Sequence, residues 1–218
     1  MQLRGQVVPV TPFQQNCAIV WSEATMTGAV VDPGGDLPRI RAAIDELGVT
    51  VEKILLTHGH VDHAAGAGAL ADQLSVPIEG PHEADRFLIE DLPEQAARFG
   101  FDPVTTFEPA RWLAEGDEVT ISDLVLEVRH CPGHTPGHVI FFHRPSNLAL
   151  VGDVLFQGSV GRTDLPGGDH AALVHSIRTK LWPLGTDIAF LPGHGPMSTF
   201  AAERAGNPFV GDEVLPTP

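Results

Sequence analysis

Positive charge is what this sequence has least of. Its 218 residues include 13 lysines and arginines against 28 aspartates and glutamates, for a formal charge of −15. Such a balance repels phosphate backbones and anionic headgroups, which argues against nucleic acid and membrane surfaces as partners. Long apolar runs are missing too. No stretch approaches the roughly 20 residues of a transmembrane helix, and residues 1–6 lack the apolar core of a secretion signal. Cysteine is reduced to Cys17 and Cys131, without the spacing of a zinc ligand pair or a disulfide framework. These absences place the protein in the cytoplasm with reduced thiols. No Ser- or Gly-rich linker and no sequence repeat divides the chain, which reads as one domain over 1–207 and a tail over 208–218. A chain of this length buries roughly 70% of its unfolded surface, so a core needs neither disulfides nor oligomerisation.

What is present is a turn-rich α/β composition, with 43% hydrophobic residues, 23 glycines and 19 prolines. Short strands at 6–10, 17–21 and 28–31 read as a meander. Asp36 stands as a cap before a helix whose Leu37, Ile40, Ala43, Ile44 and Leu47 step by three and four. A strand over 51–56, a small-residue helix over 64–74 and a short strand at 76–78 follow. Residues 82–99 read as a polar helical insertion covering one face. Strands at 117–119, 124–128, 138–142 and 148–151 precede a helix over 169–181, a strand at 187–191 and a helix at 199–205. Strand-rich and helical segments alternate twice, and two mixed sheets with helices outside is the simplest packing.

The chemistry concentrates in Thr57-His58-Gly59-His60-Val61-Asp62-His63, a loop between a strand and a helix. Ligand-type residues recur in turns at His134, Asp153 and His194, too far apart for local chelation, so the fold must assemble them. His58, His60 and His134 offer three neutral nitrogens. Asp62, His63 and His194 offer a mixed oxygen and nitrogen set, and the two oxygens of Asp153 suit a bridge. This donor set predicts two divalent ions, zinc foremost, with iron or manganese also accepted. Two ions sharing a bridging hydroxide would supply a nucleophile and receive an oxyanion, with Asp62 orienting the hydroxide. Asp32 reads as a turn or supporting residue, and His130 and His138 as packing or support. Cys131 reads as a small buried thiol, and His82, His143 and His175 as surface or helix histidines. Phe13, Phe156 and Leu165 are candidate pocket residues.

The run His58-Gly59-His60-Val61-Asp62-His63, followed in order by His134, Asp153 and His194, resembles the HxHxDH signature and later ligands of the metallo-β-lactamase superfamily. The resemblance spans residues 32–194. It implies an α/β protein built as an αββα sandwich of two mixed β-sheets with flanking helices, the metals at one edge, and the ligand sets just given. Phe13-Gln14-Gln15-Asn16, Pro132-Gly133-His134-Thr135-Pro136-Gly137-His138 and Gly158-Ser159-Val160-Gly161-Arg162-Thr163-Asp164 resemble the short single-domain bacterial type II glyoxalases. That likeness implies a dinuclear thioesterase cleaving S-lactoylglutathione-like acyl-glutathione thioesters, a small-molecule substrate, and Arg162 holding the glycine carboxylate of glutathione. The alternative for Arg162 is an ion pair with Asp164 or Asp169. The chain departs from long members of that branch in having no C-terminal helical domain, and in placing Asp164 where they carry tyrosine. The Gly161-Arg162-Thr163-Asp164 run also resembles persulfide dioxygenases, which implies the alternative of a single iron on His58, His134 and Asp153.

Overall fold

Alternation of side chains along the strands sets the layers. In the computed structural model, which describes residues 2–214, the first sheet holds β1 (Leu3–Val10), β2 (Gln15–Ser22), β3 (Thr27–Val31), β4 (Thr50–Leu55) and β5 (Ile78–Glu79) in that order. β1 to β3 are antiparallel neighbours, and β3–β4 and β4–β5 are parallel. The parallel steps need crossovers, supplied by α1 (Leu37–Leu47) and by α2 (Val61–Ala64) with α3 (Ala67–Leu74). Two further helices follow β5, α4 (Arg86–Glu90) and α5 (Leu92–Phe99).

The second sheet begins with β6 (Glu118–Ile121), β7 (Leu124–His130), β8 (Val139–His143) and β9 (Leu148–Gly152). A small ribbon of β10 (Leu155–Phe156) and β11 (Ser159–Val160) and then α6 (His170–Ser176) lead to β12 (Ala189–Pro192) and β13 (Ser198–Thr199), before α7 (Phe200–Gly206). Its order is β13-β12-β9-β8-β7-β6, parallel between β9 and β12 and antiparallel elsewhere. Both sheets are mixed and helices flank both, the αββα sandwich expected from the sequence.

The period of two distributes each strand between two cores. Cys17 and Ile19 pack with Ile40, Ile44 and Leu70 of the outer helices, while Ala18 and Val20 turn to the other sheet. In the second sheet Phe141 and Leu150 meet that inter-sheet layer, and Ile140, Phe142 and Val151 pack with Leu173, Ile177 and Phe200. The C-terminal ends of β4, β7, β9 and β12 all open at one edge, where the motif loops begin. Backbone bonds lace these loops together, from Val139 N to Thr57 O (2.8 Å), Gly193 N to Gly152 O (2.8 Å) and Asn16 N to Gly193 O (2.7 Å).

Several local expectations are corrected. Asp36 precedes α1 but caps nothing, because its φ of 50° turns the side chain away from the helix amides. Its Oδ2 accepts from Thr11 N at 2.7 Å and so ties the β1–β2 turn to α1. The strand expected at 76–78 pairs over Ile78–Glu79, since Pro77 has no N–H to offer. The helix expected over 169–181 is α-helical to Ser176 and then widens into a π-helical turn over Ile177–Leu181, keeping Leu173, Ile177 and Leu181 buried. The expected tail is packed where it is described: Val210 is buried in the layer of α6 and α7, and residues 215–218 lie outside the described residues. Among the described residues no helix is long and apolar enough to cross a membrane.

Phe141 is fully buried between the sheets, so Phe141→Ala leaves a cavity in the layer that joins them. The expected loss is about 3–5 kcal/mol. Urea unfolding should show a lower midpoint with an unchanged slope, and a midpoint like that of the parent would refute this placement of the core.

Candidate metal centre

Four strand ends bring the ligand-type residues into one place. The loop after β4 carries His58 and His60, and the first turn of α2 carries Asp62 and His63. The loops after β7, β9 and β12 carry His134, Asp153 and His194. One donor atom from each of His58, His60 and His134 lies within 4.8 Å of the other two, and the same holds for Asp62, His63 and His194. Asp153 sits between the sets. Its Oδ1 is 3.3 Å from His63 Nε2, and its Oδ2 is 3.6 Å from His134 Nε2 and 3.7 Å from His194 Nε2.

The outward nitrogens are tethered, which fixes what the inward ones can do. His63 Nδ1 donates to Asp32 Oδ2 (2.9 Å), His134 Nδ1 to the carbonyl of Arg162 (2.7 Å), and His194 Nδ1 to the carbonyl of Phe13 (3.1 Å). The Thr57 hydroxyl donates to Asp32 Oδ2 at 2.6 Å, so it faces His58 Nδ1, 3.0 Å away, as an acceptor. Each of these four rings therefore turns its Nε2 inward, as a lone pair on His58 and His134 and toward the carboxylates of Asp153 and Asp62 on His63 and His194. His60 Nδ1 lies 2.9 Å from His134 Nε2. The Nε2 atoms of His58, His60 and His63 and Oδ1 of Asp153 are buried without a hydrogen-bond partner. Buried polar atoms are normally paired, and orphaned nitrogen and oxygen atoms converging from several loops form a donor set that fits divalent metal.

The electrostatics divide the two sets. Burial drives the pKa of His58 well below its usual value, with the neighbouring imidazoles adding to the effect. Burial and His134 bring His60 to about 3, and burial also lowers His134. These rings are neutral at pH 7, as ligands must be. Burial alone would lower His63, yet the carboxylates of Asp153 and Asp62 raise it well above its usual value. His194 is raised as well, its burial outweighed by the bond to Asp62 at 3.0 Å and the charge of Asp153. Burial works against the Asp153 carboxylate, but the facing His63 holds its pKa below the normal range.

The other expected residues fall into distinct places. Asp32 Oδ1 accepts from Thr57 N at 2.7 Å, and with Oδ2 on Thr57 and His63 it supports the centre from behind. His138 accepts from Asp153 N at 3.0 Å and stacks on His58 with centroids 4.7 Å apart. His130 stacks instead on His82, at 4.1 Å, away from the ligands. Cys131 is buried and its thiol is pushed far up by burial. His143 is buried at the end of β8 and bonds Ser146, rather than lying on the surface. Phe13, Phe156 and Leu165 line a cavity of about 610 Å³ over the centre, joined by Phe99 and Val160. Arg162 stands at its mouth in a bidentate pair with Asp164, at 2.7 and 2.8 Å.

Three residues have roles that the sequence did not suggest, Asn16 among them although its motif stood out. Asn16 Nδ2 donates to the carbonyls of Pro192 (3.0 Å) and Gly195 (2.9 Å), bracing the His194 loop. Gln95 accepts from Val61 N (3.1 Å) and donates to Leu88 O (2.8 Å) beneath the first loop. Asp85 is fully buried, and burial pushes its carboxyl up to about 6 against the bonds it receives from Thr135, Gly59 and Gly137. Residues 82–99, expected as a polar cover, thus send two polar side chains inward. The only signal for them was a carboxylate and an amide within otherwise apolar helical positions.

Comparison with known proteins gives the family and the fold. The metallo-beta-lactamase superfamily matches over residues 10–194. Hydroxyacylglutathione hydrolase GloC of Haemophilus influenzae is 45% identical over 209 residues, which cover 95% of this chain and 98% of that protein. Among solved structures, BLEG-1 B3 metallo-beta-lactamase superposes with a TM-score of 0.88 at 35% identity, over 95% of this chain and 99% of its own. TTHA1623 in a di-iron-bound form superposes with a TM-score of 0.85 at 35% identity, over 94% and 99%.

The split in protonation has a measurable sign. An ion taken up by Asp62, His63 and His194 displaces the protons held on His63 and His194, whereas His58, His60 and His134 have none to give at pH 7. Zinc titrated into metal-free protein should therefore expel protons, read by calorimetry in buffers of different ionisation heat. Because the raised-pKa ligands hold their protons to higher pH, acidification should release metal from that set first. Equal loss of all metal in one step would contradict the division.

Proposed function

We propose a function from one premise: the chain belongs to the metallo-β-lactamase superfamily and is a metal-dependent hydrolase within it. The proposed reaction is hydrolysis of an acyl-glutathione thioester of the S-lactoylglutathione kind. The proposed cofactor is a pair of zinc ions, one on His58, His60 and His134, the other on Asp62, His63 and His194, with Asp153 between them. Divalent ions, when bound, supply Lewis acidity toward a carbonyl oxygen and bring the pKa of a water down to about 7.

One observation carries the choice of a thioester. Among the residues lining the cavity, every titratable group belongs to the ligand cluster except Arg162, whose guanidinium does not give up its proton. The cavity therefore has no free acid to protonate a leaving amine or alkoxide. A thiol, with a pKa of about 8.5, leaves as thiolate without one. Asp62 is the residue assigned in this reading to orient the attacking water, and its partial exposure at the cavity floor supports that role. Arg162 is the one arginine or lysine among the residues lining the cavity, and its fork suits the glycine carboxylate of glutathione in exchange for Asp164. The likeness to a protein named hydroxyacylglutathione hydrolase supports the same reading. Both thiols are free and buried, which supports the cytoplasm as the location.

Zinc-loaded protein should release free thiol from S-lactoylglutathione, and the panel should include other acyl-glutathiones and a β-lactam. Two bound ions with no turnover of any thioester would sink the reading, and oxygen uptake with glutathione persulfide on one iron per chain would replace it. Arg162→Ala should raise KM about tenfold, or about 1.4 kcal/mol, with kcat nearly unchanged. An unchanged KM would leave Arg162 with no role beyond its pair with Asp164.

A further inference from the structure

Asp85 ends a short turn (Glu83–Asp85) and occupies the cap position of α4, yet its side chain makes no bond to that helix. Its carboxylate is spent elsewhere. Oδ2 accepts from Gly59 N (2.9 Å) and Thr135 Oγ1 (2.8 Å), and Oδ1 accepts from Gly137 N (2.5 Å). Gly59 lies between His58 and His60. Thr135 follows His134, and Gly137 precedes His138. A single buried carboxylate thus holds both loops that carry the three-nitrogen set. The backbone repeats the link, with His82 N donating to Gly137 O at 3.0 Å.

The approach is too close for side chains on the loops. A Cβ at Gly59 would stand 2.7 Å from Leu88 Cβ, and a Cβ at Gly137 would stand 2.5 Å from Asp85 N. Both positions are glycine where the segment around Asp85 presses against them. We infer that Asp85 is a positioning residue that sets the separation between the loop of His58 and His60 and the loop of His134, and so governs metal affinity from outside the ligand sets. The inference rests on the metal reading of the centre. An amide at this position keeps one acceptor oxygen and turns an NH₂ toward a backbone N–H, so Asp85→Asn loses its hold on at least one loop.

The test uses the full chain and zinc alone, measured by competition with a fluorescent chelator. Asp85→Asn should bind zinc about 10–100-fold more weakly, the range for residues that orient ligands. Cobalt loaded in its place should show an altered ligand-field spectrum. Phe141→Ala, which loosens the inter-sheet core without removing any of the Asp85 bonds, should keep the parent affinity. If Asp85→Asn does not fold, Thr135→Val removes one of the three donors and should weaken zinc by about threefold or more. Parent-like affinity in folded Asp85→Asn, or in Thr135→Val, overturns the inference, and so does an equal loss in Phe141→Ala. A parent protein that takes up no zinc would instead overturn the metal reading beneath it.

Discussion

The edge of the sandwich depends on keeping His58 buried among other imidazoles. Its ring centroid lies 4.1 Å from that of His63, 4.7 Å from His138, and 4.9 Å from His60 and His134. Protonating such a group without solvent is costly, so the rings around it must stay neutral or face a carboxylate. The structure uses both solutions. On one side His58, His60 and His134 shed their protons through burial and mutual repulsion. On the other, the carboxylates of Asp62 and Asp153 raise His63 and His194 and so favour their protonated forms. Asp153 lies on the boundary, within 3.7 Å of rings from both sides.

The crowding also explains why so much of the scaffold is committed to tethers. Asp32 holds a φ of 52°, unusual for a side chain with a Cβ, and accepts from Thr57 and His63. Strained backbone of this kind persists only where several bonds over-determine it. The β1–β2 turn contributes the carbonyl of Phe13 and the amide of Asn16 to the His194 loop. The segment 83–99 contributes Asp85 and Gln95 to the first two loops. Elements from the beginning, middle and end of the chain therefore meet at the centre, and the loops between strands are held as firmly as the strands.

What could be read in advance follows from the range of the forces. Strand periodicity, helix stepping and the dense ligand motif are local, and they placed both sheets, most helices and the ligand-type residues on strand ends. Long-range polar bonds leave no such trace. Asp85 stands 26 residues from Gly59 and 52 from Gly137, and Asn16 stands 176 from Pro192, so no pattern in the chain announces those pairs. Asp36 read as a cap because aspartate before an amphipathic run favours one, but a left-handed φ sends its carboxylate to Thr11 instead. Val210 is one apolar residue in a polar ending, too weak a signal to show that α6 and α7 would bury it.

Arg162 shows how the centre and the mouth of the cavity can be independent. Its carbonyl accepts from His134 Nδ1, so its backbone belongs to the support of the ligands. Its guanidinium lies at the exposed rim, paired with Asp164. A carbonyl is present whatever side chain the residue carries, so residues 162 and 164 can change without releasing His134. Asp85 has no such freedom, because its side chain is itself the tether. The geometry of the His and Asp cluster is thus fixed by buried side chains, while exposed ones on the same loops are free to differ. A fold built this way can keep one hydrolytic centre and vary what it acts on, since function resides in side chains grafted on a rigid frame.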